Sequence, residues 1–170
     1  MDKIALALLG ALLVDTAPKL LAADWPHWRG PADNRISPET NWFAPWPAEG
    51  PRQLWKASLG FGLSSFAVAN GSVCTMGSTT REGTSNHEDT VWCLASDTGK
   101  PRWKFAYPAR RGATQYQGGP TATPTIDDDR VYTLSREGDL FCFDFTTGKI
   151  LWEQHLGRKG AGPLDRKSVV

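Results

Sequence analysis

Val91-Trp92-Cys93-Leu94-Ala95-Ser96-Asp97-Thr98-Gly99-Lys100-Pro101-Arg102-Trp103-Lys104 recurs as Leu140-Phe141-Cys142-Phe143-Asp144-Phe145-Thr146-Thr147-Gly148-Lys149-Ile150-Leu151-Trp152-Glu153, 49 residues on and without a gap. Cys, Thr, Gly, Lys and Trp repeat identically, and the flanking positions stay apolar. A partial third copy, Leu54-Trp55-Lys56-Ala57-Ser58-Leu59-Gly60, matches Leu151 to Gly157. Upstream, Phe66-Ala67-Val68-Ala69-Asn70-Gly71-Ser72-Val73 parallels Pro124 to Val131 at a shift of 58, which gives the first copy about nine extra residues. They fall in Gly77 to Asp89, a polar run that reads as an elongated hairpin loop.

A repeat of this length is one supersecondary unit, and its pieces read as strands. Thr125-Ile126 is a strand, Asp127-Asp128-Asp129 a turn, and Val131-Tyr132-Thr133-Leu134 a second strand. Arg136-Glu137-Gly138-Asp139 reads as a hairpin turn, with Gly free to take positive φ. Leu140 to Phe145 is apolar on both faces, so it is expected to be covered on both sides. Thr146-Thr147-Gly148-Lys149 turns into a fourth strand at Ile150-Leu151-Trp152-Glu153. Four short antiparallel strands per unit is the pattern of a β-propeller blade. The fold class is therefore all-β, with about two blades of a ring expected to hold seven or eight.

Bulk composition agrees. Eight Trp, 17 Gly and 12 Pro in 170 residues favour short strands and tight turns. Nineteen basic against 18 acidic side chains leave a net charge of +1, so no field invites nucleic acid or an acidic membrane.

Cys142 to Trp152 resembles the quinoprotein (PQQ-like) repeat, loosely Ala-Leu-Asp-Ala-x-Thr-Gly-Lys-x-x-Trp. Cys93 to Trp103 resembles it with Ala95 where the repeat usually has Asp. Asp24-Trp25-Pro26-His27-Trp28-Arg29-Gly30-Pro31 is similar to the opening of secreted proteins of this family, often grouped with the outer-membrane assembly factor BamB. The resemblance implies that the Trp of one blade packs on the Thr-Gly turn of a neighbour. Trp55, Trp103 and Trp152, with Thr98-Gly99 and Thr147-Gly148, are then the inter-blade docking residues.

The expected organisation is a signal peptide over 1–23, a Trp/Pro-rich arm over 24–50 and a strand over 51–60 that closes the last blade. Blades follow over 61–108 and 109–157, then a tail over 158–170. The signal rests on the short polar start, the apolar run Ile4 to Val14 and the small residues before Asp24. That run is too short to span a bilayer, so no transmembrane segment remains after its removal. Asp165 to Val170 reads as adapter-derived sequence, marking a truncated chain.

Candidate sites mostly take plain readings. Cys93 and Cys142 read as small buried residues. Tyr132 is expected opposite Phe143, which puts Cys74 opposite Leu94 and turns Cys93 to the other face, against a disulfide. His27, His87 and His155 lack ligand spacing, and His87-Glu88-Asp89 reads as a solvated polar loop, so no metal site is expected. Asp127 to Asp129 lacks the Gly and distal Glu of a calcium loop. Arg110-Arg111 with Tyr116 and Gln117 reads as a connection between blades. Trp25, Trp28, Trp42 and Trp46 with the prolines around them read as an arm packed on the propeller, with a peptide- or sugar-binding surface as the other possibility.

No serine-hydrolase elbow, zinc-protease or phosphate-loop pattern is present. The leading function is therefore a non-catalytic binding or scaffold propeller, periplasmic or secreted, with envelope proteins as partners and no evident cofactor. The alternative is a quinoprotein dehydrogenase holding PQQ over calcium, which rests on the repeat alone, and a shared fold does not transfer function. A polysaccharide-binding propeller is a third reading.

Overall fold

The computed structural model describes residues 23–40, 45–80, 87–109 and 118–158. The apolar leader, Trp42, residues 110–117 and the last twelve residues lie outside that set. Two four-stranded antiparallel sheets are built from consecutive strands. The first holds β1 (Ala67–Ala69), β2 (Ser72–Thr80), β3 (His87–Ala95) and β4 (Pro101–Ala109). The second holds β5 (Thr125–Asp127), β6 (Arg130–Leu134), β7 (Asp139–Asp144) and β8 (Ile150–His155). The order follows the chain in each, as expected of two propeller blades.

Alternation along the strands makes the core. Ala67, Ala69, Cys74, Met76, Val91, Cys93, Trp103 and Tyr107 of the first blade form one cluster with Ile126, Val131, Phe141 and Phe143 of the second. Residues two apart share a face, so each strand turns one row toward the neighbouring blade. Phe141, Cys142 and Phe143 are all buried, which places β7 between two covered faces.

The described parts of the run from Gly77 to Asp89 lie in strands, and residues 81–86 fall outside the described set. Gly77 to Thr80 pairs with His87 to Thr90, so β2 and β3 each run to nine residues. Their upper part stays inside because Phe61 exchanges two hydrogen bonds with Ser78, of 2.9 and 2.7 Å, at the edge β1 leaves open. A Cβ on Gly77 would run into the Leu59 carbonyl, so the close approach requires glycine there. His87 and Asp89 are buried in β3, not solvated in a loop.

The hairpin between β6 and β7 corrects a register. Ser135 N donates to Asp139 O at 2.8 Å, so those two residues pair and the turn is Arg136-Glu137-Gly138, three residues long. Gly138 supplies the positive φ of such a turn. Tyr132 therefore faces Cys142, not Phe143. In the first blade Cys74 faces Cys93, not Leu94, and both point to the same side. A one-residue change in turn length moves every partner to the other face.

The arm joins the two sheets at their edge strands β1 and β5. Trp25 and Val68 exchange backbone hydrogen bonds of 2.7 and 2.8 Å, and Ile126 N donates to Pro26 O at 2.8 Å. Trp25 folds back onto Gly30, where a Cβ would lie 2.6 Å from the ring. Residues 53–57 form no strand, and Trp55 alone of that stretch is anchored by its side chain.

Candidate functional site at the joint between the blades

The Thr-Gly turn has the same backbone in both copies. Ala95 N donates to Lys100 O and Gly99 N to Ala95 O, at 2.9 and 2.8 Å. Asp144 N donates to Lys149 O and Gly148 N to Asp144 O, both at 2.9 Å. Gly99 and Gly148 take φ of 67° and 70°, a left-handed conformation that glycine adopts without strain.

A tryptophan sits on each turn. Trp103, from the first blade, lies over Gly148 of the second, and its indole N–H donates to Phe145 O at 2.8 Å. Trp55 lies over Gly99 and donates to Ser96 O at 2.8 Å. A Cβ on either glycine would enter the ring. Trp152 holds the equivalent place on β8 but is 41% exposed, beside Tyr132 at 6.0 Å between ring centroids. Thr147 is held by Asp144, whose Oδ1 accepts from Thr147 N and Oγ1, each at 2.7 Å. Those two bonds hold the Asp144 carboxyl below the usual range. Thr98 has no such partner, because Ala95 stands where Asp144 does; its Oγ1 accepts from Lys100 N at 3.5 Å.

Below Trp103 the joint continues as aromatic packing that the Thr-Gly-Lys to Trp repeat does not include. Trp103 meets Phe143 at 5.6 Å, Phe105 meets Phe143 at 5.2 Å, and Tyr107 meets Phe141 at 5.2 Å. The signal was present as Trp103-x-Phe105-x-Tyr107 and Phe141-x-Phe143, period-two rows in facing strands.

At one end the joint opens into a small cleft lined by Asp89, Tyr107, Ser135, Arg136 and Asp139 among others. Burial pushes the Asp89 carboxyl up, against a lowering hydrogen bond from Ser78. Burial likewise pushes the Tyr107 hydroxyl well up, with Asp89 and Asp139 adding to it, and that hydroxyl has no hydrogen-bond partner. Among the described residues no group of three or more His, Cys, Asp or Glu is placed to hold a metal ion. His27 lies in the arm, and the His155 ring accepts from Gly157 N at 3.1 Å. Asp128 takes φ of 49° in the turn after β5, as Asn70 does at 47° after β1.

Residues 47–168, well over half of the sequence, match the family model described as "Outer membrane protein assembly factor BamB". The chain belongs to this family of PQQ-like repeat propellers. No curated protein matches it. The solved structures similar to this BamB-family chain include these two. One is a europium-containing methanol dehydrogenase, 26% identical, with a TM-score of 0.35 over 54% of this chain and 15% of that one. The other is BamB from Moraxella catarrhalis, 17% identical, with a TM-score of 0.30 over 52% of this chain and 31% of that one. The BamB-family chain thus spans less than a third of either structure's length.

Proposed function

We propose that this chain forms part of an exported, non-catalytic propeller of the cell envelope, which presents its loops to protein partners. One observation carries the reading. The residues that make the resemblance to quinoproteins are occupied in joining blades: the Trp103 donor is spent on Phe145 O and its ring on Gly148. The motif then reports architecture, and membership of the BamB-described family favours an assembly role. On the same reading Trp55 and Trp103 are blade fasteners, and Trp152 is the fastener for a following blade. No helix among the described residues is long and apolar enough to cross a membrane.

The test uses the whole protein. Fused to a reporter active only after export, it is expected to give signal, and deletion of residues 1–23 is expected to abolish that signal. Incubated with PQQ and calcium, it is expected neither to retain the quinone on gel filtration nor to reduce an artificial electron acceptor with alcohols. Stoichiometric quinone uptake with dye reduction would replace the binding reading by a dehydrogenase. Cross-linking in intact cells is expected to join it to a defined envelope protein.

A further inference from the structure

Cys74 and Cys93 are directly opposed on β2 and β3 and fully buried in the cluster between the blades. Their sulfurs lie 2.8 Å apart, with Cys74 donating to Cys93. Directly opposed residues of an antiparallel pair bring their Cβ atoms to about 4.5–5.5 Å, close to the span a disulfide bridges. The third cysteine, Cys142, faces Tyr132 and Trp152 in the other sheet. We propose that Cys74 and Cys93 are a modification site, closing as a cross-strand disulfide when the chain folds in an oxidising compartment.

The chemistry balances as ordinary thiol–disulfide exchange with an oxidised dithiol–disulfide oxidoreductase. One cysteine thiolate attacks a sulfur of the enzyme's disulfide, forming a mixed disulfide and releasing an enzyme thiolate. The second cysteine, as thiolate, displaces the other enzyme sulfur. The chain loses two protons and two electrons, and the enzyme ends as its dithiol. In the folded pair the hydrogen bond from Cys74 holds the Cys93 thiol below its usual range. The same bond and burial raise Cys74. Both sulfurs are sealed once the second blade packs on the first, so the exchange belongs to the time before that packing. The bond would tie β2 to β3 at the third of their nine paired positions, counted from the Ser72–Ala95 end. It rests on register and proximity, independently of the function proposed above.

The experiment compares whole protein made in a host with an oxidising folding compartment and in a reducing one. Each sample is denatured without reductant, alkylated, digested and read by mass spectrometry. From the oxidising host, the peptides carrying Cys74 and Cys93 are expected as one cross-linked species lighter by two hydrogens, with Cys142 alkylated. From the reducing host all three are expected to be alkylated. Cys93→Ser is expected to leave Cys74 alkylated in both. Full alkylation of Cys74 and Cys93 from the oxidising host, or linkage through Cys142, would overturn the proposal. If Cys93→Ser does not accumulate, the wild-type comparison alone decides.

Discussion

At Asp144 one exposed carboxylate stabilises a turn by accepting two hydrogen bonds from Thr147, and at Asp89 a buried one is held in the joint. Their pH signatures have opposite signs. Asp144 titrates below its ordinary value, so its contribution is present above the ordinary carboxylate range and is lost as pH falls through the folded value. Asp89 titrates above its ordinary value, so its contribution is present in acid and is lost as pH rises through the raised value. Thermal melts from pH 3 to 7 are expected to show Asp144→Asn losing ground to wild type as pH rises. Asp89→Asn is expected to gain ground over the same interval. A residue swap tests the turn from the other side. Ala95 has the backbone of Asp144 without its carboxylate, so Ala95→Asp is expected to stabilise by about 0.5–1.5 kcal/mol, read from the urea midpoint. The Ala-for-Asp departure was visible in the alignment; its consequence needed the turn geometry.

At the scale of elements, the outer strand of one blade and the third strand and turn of the next act as a unit. Trp103→Ala is expected to cost about 3–5 kcal/mol, because it empties the space over Gly148 and strands the Phe145 carbonyl. Trp152→Ala in the same 170-residue chain is expected to cost less than about 1 kcal/mol, since no turn covers that ring. Equal costs in denaturant titrations would mean that docking on the turn is not what makes Trp103 matter. Strand order was legible because hydrophobic runs, Gly-containing turns and a fixed repeat agree with one another. Register was not. The Arg136-Glu137-Gly138 turn differs by one residue from the four-residue reading, and composition does not distinguish the two. Carried over to the first blade, that one residue puts Cys74 opposite Leu94, whereas Cys74 pairs with Cys93. The polar run Gly77 to Asp89 misled for a related reason: polar side chains are tolerated in a strand whose edge is covered by Phe61.

For the whole molecule, the two blades seal one face and leave others open. Leu151 and Trp152 on the outer strand of the second blade are exposed, as are Leu54, Leu63 and Phe66 before the first. The 170-residue chain alone is expected to bind an apolar dye and to self-associate, by fluorescence and light scattering. A longer protein carrying the next blade is expected to do so far less. Equal dye binding by both would mean that the following repeat does not cover Leu151 and Trp152.

The strand-like clasp of Trp25 and Pro26 has a consequence in time. Pro26 meets Ile126, a hundred residues later in the sequence. At ribosomal speeds that interval is roughly 5–20 s. The arm is made early and seated late, with its Trp25–Val68 half free to form before its Pro26–Ile126 half exists. Whatever holds the nascent arm during that wait shares in deciding whether the second blade docks beside the first.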